Sequence, residues 1–370
     1  KVPVVKFFKK KEKEILYSKL NTKQKKIQIK NLNQRFIHEK NVSTRTKKCI
    51  DSLKKKFKDI EIYDHHESHA ATAYYYSGWQ NCYVLTMDGW GDQSSSKFYK
   101  ANKGNLKQIT SSYTLDSLGY FYGSITKLLG FKPHQHEGKI LGLAAYGNKN
   151  KAYKEISKMI SFDKKHNCFK GNYEKGLYVA SFENKNIKYL LKKYSKKDIA
   201  AATQKRLEHV VLSFLKFNIS KKSKISLAGG VFANVKLNQK ISELKNIEKI
   251  FVFPNMGDGG LSVGTAALSY FKRKKYTPTQ IKSMYLGPEF TNKTILKEIK
   301  KNKLEFLDLK DPTKFIANEI SKGKVVGLFQ GRMEFGPRSL GNRSIIVQAK
   351  DKSVNDWLNK KLKRTEFMPF

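Results

Sequence analysis

Three short runs of β-branched, aromatic and aliphatic residues constrain the fold of this chain more than any other feature. They are Tyr83-Val84-Leu85-Thr86-Met87, Ile225-Ser226-Leu227-Ala228 and Ile250-Phe251-Val252-Phe253, and each ends at Gly, Asp or Pro. Runs this short and this apolar read as buried strands. Helical signals lie between and after them. Ser117 to Leu129 carries apolar residues at Leu118, Tyr122, Ile125, Leu128 and Leu129, with Asp116 or Ser117 as N-cap. Asp198 to Phe217 is amphipathic, a helix starts near Val231 after the Gly229-Gly230 turn, and Gly259 to Ala267 reads as a closely packed helix. Strands alternating with helices predict a three-layer α/β sheet. Ligands in such sheets gather beyond the carboxyl ends of the strands. Asp88, Gly229 and Asp258 each follow a strand end, so three segments distant in sequence converge there.

With 370 residues, 39% of them hydrophobic, the chain predicts two domains or one large domain with an appendage. Residues 1–60 read as basic helices and loops, with Lys54-Lys55-Lys56 on a solvated helix face, and residues 148–196 as helices and connections of an insertion. A domain boundary falls around Tyr285-Leu286-Gly287-Pro288. Beyond it the pattern predicts a helix at Asn292–Lys301, a strand at Leu304–Leu309, a helix at Pro312–Ser321 and a strand at Val325–Phe329. The formal charge of +43 suggests a nucleic-acid partner first. Its distribution argues otherwise: lysine is spread over every segment, and arginine, the residue of base and phosphate forks, occurs only at 35, 45, 206, 273, 332, 338, 343 and 364. Cys49, Cys82 and Cys168 are sparse and lack metal-ligand spacing, which suits a reducing cytoplasm. No apolar run approaches the roughly 18 residues of a membrane span. The chain opens Lys1-Val2-Pro3 and stops at Met368-Pro369-Phe370, so both ends read as cut.

Five constellations carry chemistry. In His65-His66-Glu67-Ser68-His69, His65 and His69 stand four apart and share a helix face able to grip a metal ion, while His66 points elsewhere. Such a pair needs acidic or water ligands to complete a site. Asp88, opening the turn Asp88-Gly89-Trp90-Gly91-Asp92, and Asp258, in Pro254-Asn255-Met256-Gly257-Asp258, are the acidic candidates. Gly229-Gly230 between strand and helix offers backbone amides to a phosphate. In His134-Gln135-His136-Glu137-Gly138-Lys139, the plain reading is close helix packing with a surface Glu137–Lys139 pair. Last, Arg332, Arg338 and Arg343 alternate with glycines after a strand, in a chain nearly devoid of arginine, and predict an anion site.

In order, HHESHAATA, LTMDGWGD, HEGKILGLAAYG, LAGGVFAN and QGRMEFGPRSLGNRS resemble the O-carbamoyltransferases that tailor antibiotics and nodulation factors. The resemblance runs from about His65 to Phe370. It implies an α/β fold: an actin-like, sugar-kinase-like (ribonuclease H-like) ATPase domain over residues 1–284 without its first strands, then the start of an α+β YrdC-like domain over 285–370. It implies an enzyme that joins carbamoyl phosphate and ATP into carbamoyl-adenylate and passes the carbamoyl group to a hydroxyl of a small-molecule or glycan acceptor. By motif, His65, His69, Asp88 and Asp258 correspond to a divalent-metal site, iron or magnesium, with Asp88, Asp258 and His65 as catalytic groups. Gly229, Gly230, Asn234, Gly89 and Gly91 correspond to nucleotide contacts, and Arg332, Arg338 and Arg343 to carbamoyl phosphate and ATP contacts. Cysteine usage, the lack of a long apolar run and the scattered lysines lead to the expectation of a cytoplasmic enzyme with no membrane partner and a nucleic-acid partner disfavoured, its oligomeric state open and a homodimer among the options. The related threonylcarbamoyl transfer to tRNA and an inactive basic fragment are the alternatives.

Overall fold

The computed structural model describes residues 4–18, 21–172, 187–337, 339–348, 350–351 and 353–363, and the chain divides into a unit of Lys1–Gln280 and a unit of Ile281–Phe370. The first unit opens with α1 (Val4–Leu16) and α2 (Thr22–Lys54), which share a small core of Phe8, Ile15 and Leu32 against Leu115. Next come α3 (His65–Tyr75), the strands β1 (Asn81–Gly91), β2 (Ser94–Asn102) and β3 (Asn105–Tyr113), then α4 (Leu118–Leu128) and α5 (Glu137–Ala144). A helical turn α6 (Tyr153–Ile156), the hairpin β4 (Ile160–Asp163) and β5 (Cys168–Gly171), and a turn α7 (Leu190–Lys193) form the insertion. The remainder alternates: α8 (Lys196–Asn218), β6 (Ser223–Ala228), α9 (Val235–Ser242), β7 (Ile247–Val252) and α10 (Leu261–Arg273).

Five strands form one sheet in the order β3-β2-β1-β6-β7. The β1–β2–β3 meander is antiparallel, whereas β6 and β7 run parallel to β1, with Thr86 opposite Ala228 and Leu227 opposite Val252. This is the ribonuclease H-like sheet that the family resemblance implies. Alternation along β1 builds both cores. Leu85 and Met87 pack with Phe121 and Ile125 of α4, Val211 and Phe214 of α8, and Leu237 of α9. Cys82 and Val84 pack on the opposite face with Ala70, Ala73 and Tyr74 of α3 and Ala267 of α10. Helices therefore cover both faces. Ser117 is the N-cap of α4, its hydroxyl accepting from the Tyr120 amide at 3.0 Å.

The structure departs from the sequence reading at three places. β1 does not end at Asp88 but continues to Gly91, through a register irregularity after Met87; the turn is Asp92-Gln93, both at positive φ. Two consecutive left-handed residues twist a hairpin to match its strands. The insertion contains the β4–β5 hairpin as well as helical turns, and it docks on β3 through the Thr110 hydroxyl, which donates to Asn167 O at 2.7 Å. In the second unit, α11 (Asn292–Lys301), α12 (Pro312–Ser321), β8 (Val326–Phe329), β9 (Arg343–Ile346) and α13 (Ser353–Lys361) form, but residues 304–309 are not a strand. Among the described residues no strand lies beside them to complete a ladder, and Leu304, Phe306 and Leu307 are exposed.

Helix α3 sits tightly on α10 because α10 offers Gly264: a Cβ there would stand 1.9 Å from Ser68 O. Gly264→Ala is therefore expected to destabilise by about 1–3 kcal/mol, as overpacking does. Gly142→Ala on α5, where a Cβ meets nothing within 4 Å, should instead stabilise by about 0.5–1 kcal/mol. Urea midpoints of the two variants moving in the same direction would contradict this packing.

Candidate metal centre

The site begins with the start of α3. Asp64 caps it, accepting from the Glu67 amide at 3.0 Å and pairing with Lys97 at 2.7 Å. His65 thus becomes the first helical residue, with His69 one turn on. The His65 amide, one of the orphan donors of a helix start, donates to Asp92 Oδ2 at 2.9 Å. The i, i+4 spacing brings the two imidazoles face to edge with centroids 4.7 Å apart. His66, turned away, packs against the sheet, with its Nδ1 2.9 Å from Thr86 Oγ1 and its Nε2 3.1 Å from Ser94 O. Burial and the neighbouring His65 and His69 push its pKa down to about 3.

Strand β1 supplies the first carboxylate. Val84 and Thr86 face α3, and alternation puts Asp88 on that same face. Asp88 Oδ2 lies 3.1 Å from His69 Nε2 and 3.6 Å from His65 Nε2. The second carboxylate comes from the turn leading into α10: Asp258 Oδ1 is 3.4 Å from His69 Nε2 and 3.7 Å from His65 Nε2. All four ligand atoms fall within 4.8 Å of one another. Metal–ligand bonds of about 2.1 Å place tetrahedral ligands about 3.4 Å apart, so this spacing suits a shared cation. His65 Nε2 is buried and has no hydrogen-bond partner, a state that needs an explanation. Two imidazoles and two carboxylates are a donor set for a divalent cation of nitrogen and oxygen preference. The residues fit the metal that the family resemblance implies.

Electrostatics point the same way. Burial opposes a charge on His69, but contacts with Asp258 and Asp88 outweigh it and raise its pKa. Burial also opposes ionisation of Asp88, yet the nearby His65 imidazole, the contact with His69 and the hydrogen bond from the Gly89 amide at 2.6 Å hold it well below the carboxylate range.

Small residues let these parts approach. A Cβ on Gly91 would lie 2.2 Å from the His65 ring. Gly229 has φ of +98°, its amide donates to Met256 O at 2.7 Å, and a Cβ there would lie 2.2 Å from Met87 O. The Gly229-Gly230 turn leads into a 3-10 turn, Gly230–Ala233, before α9 begins at Val235. Gly230 stands beside Asp88, 3.3 Å from an ideal Cβ to Oδ1. Asn234 is committed to structure: it caps α9 through the Leu237 amide and exchanges hydrogen bonds with Gln204. Glu137 and Lys139 form no ion pair; Glu137 clamps the His134 amide at 2.7 Å, and Lys139 is buried over the Phe131 ring.

In the second unit Arg332 is exposed and donates from Nε to Gly287 O at 3.1 Å. Arg343 pairs with Glu334 at 2.7 Å. Arg338 lies outside the described residues. Sequence reasoning missed the roles of Asp92, Thr86 and Glu334. Asp92 closes the quoted DGWGD motif and Glu334 is the one acid among the three arginines, and those positions were the available signals.

Comparison with known proteins adds a family. The profile described as carbamoyltransferase N-terminus matches residues 6–267, and that described as carbamoyltransferase C-terminus matches residues 317–370. An uncharacterized protein of Methanocaldococcus jannaschii is 34% identical over 351 residues, 86% of this chain and 56% of its own length. Nodulation protein NolNO of Sinorhizobium fredii is 30% identical, covering 84% of this chain and 47% of itself. The 3'-hydroxymethylcephem-O-carbamoyltransferase of Streptomyces clavuligerus is 26% identical, covering 65% and 44%. The chain spans about half the length of these curated relatives.

Purified chain is expected to retain a divalent ion, and Asp258→Ala to lose it. Because the Asp258 side chain is 70% exposed, its removal should change stability by less than about 0.5 kcal/mol. His69→Ala, at a fully buried position, should lose both metal and stability. Elemental analysis and thermal melts read the two effects separately; unchanged metal content in both variants would rule out the centre.

Proposed function

The chain belongs to the carbamoyltransferase family, and from that premise we propose that it serves ATP-dependent transfer of a carbamoyl group from carbamoyl phosphate to a hydroxyl of a small-molecule or glycan acceptor. In this reading water cleaves carbamoyl phosphate into carbamate and inorganic phosphate, and an oxygen of the carbamate attacks the α-phosphate of ATP. Pyrophosphate leaves and carbamoyl-adenylate forms. The acceptor hydroxyl then attacks the carbamoyl carbon, giving up its proton, and AMP departs.

The observation that carries the proposal is the His65, His69, Asp88 and Asp258 cluster beside the Gly229-Gly230 turn, at the carboxyl ends of β1 and β6. A divalent cation held by those four residues would neutralise phosphate charge on the departing adenylate. The protein's own groups supply the rest. Asp88, Asp258 and His65 surround the reacting end as the catalytic set. The starts of α3 and α10 flank the cluster, and helix starts favour an anionic ligand. Gly229 and Gly230 let a nucleotide approach the backbone without a Cβ in the way, and Gly89 and Gly91 do so on β1. Asn234 contributes by holding the start of α9 rather than by a free side chain. In the second unit, Arg332 and its loop are the carbamoyl phosphate contact, with the planar fork that lysine lacks.

The relative named 3'-hydroxymethylcephem-O-carbamoyltransferase supports a hydroxyl acceptor. Two measurements test the proposal. Pyrophosphate release should require both ATP and carbamoyl phosphate, and Asp88→Asn should lower labelled-carbamoyl transfer to a panel of sugars by about 100-fold or more. Transfer to none of the panel, with tRNA binding whose log affinity falls steeply with log salt, would favour threonylcarbamoyl chemistry instead.

A further inference from the structure

The arginine-bearing loop of the second unit is organised around an acid. The Glu334 side chain has no solvent exposure, and its carboxylate is fully occupied. Oε1 accepts from the Leu340 amide at 3.0 Å and the Asn342 amide at 2.8 Å, and Oε2 accepts from Arg343 Nε at 2.7 Å. Arg343 Nη2 also reaches Glu334 O at 3.3 Å. Burial opposes the charge, yet the Leu340 amide, its own backbone, Arg343 and the Asn342 amide hold the carboxyl at about 2. The loop is tied at its other end as well: the Asn342 side chain donates to Arg332 O at 2.7 Å, and the Met333 amide to Pro288 O at 3.1 Å. Arg332 is left as the odd member. Among the described residues only its Nε is engaged, on Gly287 O, and no carboxylate pairs with its guanidinium.

We infer that Glu334 is a positioning residue, with Arg343 as its counter-ion, and that together they set the loop so that Arg332 presents its fork to the anionic substrate. This rests on the carbamoyl phosphate reading above and deepens it by separating two arginines that look equivalent in sequence. A buried ion pair that loses one partner leaves an uncompensated charge, whereas replacing both partners is far better tolerated. Rescue therefore distinguishes a counter-ion from a direct contact.

The test is carbamoyl phosphate binding to the full chain by calorimetry, with inorganic phosphate as a second probe and urea midpoints as the fold control. Arg332→Ala should weaken both probes. Glu334→Gln and Arg343→Gln should each weaken carbamoyl phosphate by about tenfold, and the double variant should return to within about threefold of the native chain. A double variant as weak as Arg343→Gln makes Arg343 a direct contact and overturns the inference. So does Glu334→Gln binding as the native chain does while Arg332→Ala fails to bind. If Arg332→Ala binds both probes normally, the anion-site reading itself falls, and the inference with it. Should Glu334→Gln not fold, Arg343→Gln and the double variant carry the same comparison, and the double variant failing to recover binding is again the contrary result.

Discussion

The contact between His69 and Asp88 is the interaction on which the rest of the site depends. Both groups are withdrawn from water, His69 fully and Asp88 largely. A buried carboxylate or imidazolium without a partner costs several kcal/mol, so each fixes the other. Because one rides on α3 and the other on β1, the pair also sets the depth at which the helix lies on the sheet. The balance is incomplete, however: two carboxylates face one histidine whose pKa is raised. An added cation would complete that balance, which is the role the proposed metal would play. The two hydrophobic cores on either side of the sheet supply the stability that the site itself does not.

Topology explains why the pair lies where it does. The chain leaves β1 toward β2 on one side and returns to β6 on the other, so β1 and β6 flank the point where strand order reverses. At such a point the loops after adjacent parallel strands diverge and leave a crevice. Gly229 follows β6 directly, with its ideal Cβ position against Met87 O of β1, and that near-contact closes the floor of the crevice. The walls are helical, α3 and α10 on one side and α4 on the other. Ser117, the cap of α4, donates through its hydroxyl to Asp88 O at 3.1 Å and ties that wall to the same strand end.

Much of this was legible in the sequence because it follows from period. The i, i+4 histidines, the strand end at Ala228 and the Gly229-Gly230 turn need only local geometry to be recognised. What was not legible depends on pairing between distant segments. The segment 83–91 reads as strand then turn, since Asp-Gly-Trp-Gly has turn chemistry; only pairing of Gly91 with Ser94 extends the strand. The segment 304–309 has strand composition and no neighbouring strand among the described residues, so composition misled. The β4–β5 hairpin was hidden by its shortness: each strand is four residues long, too few for the alternation of Ile160-Ser161-Phe162-Asp163 to stand out in a polar stretch. Glu334 was passed over because the eye counts the arginines, while the structure is built from the acid between them.

That last point generalises for a chain of this charge. With 74 basic residues against 31 acidic ones, cations outnumber acids by 43, so one-to-one pairing leaves most of them without an acidic partner. An unpaired lysine therefore carries almost no information here, and isolated surface pairs contribute little. The scarce residue is the acid, and where acids concentrate they mark a field that runs against the whole molecule. Asp64, Asp88, Asp92 and Asp258 gather at the start of α3, two of them holding the helix end and two facing the imidazoles. In a protein whose surface repels cations, this is a place that attracts one. The surrounding positive field favours anions, so the proposed cation and the proposed phosphate would reach the site for opposite electrostatic reasons. Charge that looks at first like a nucleic-acid footprint becomes, at the scale of the site, a contrast between a cationic surface and an acidic cluster.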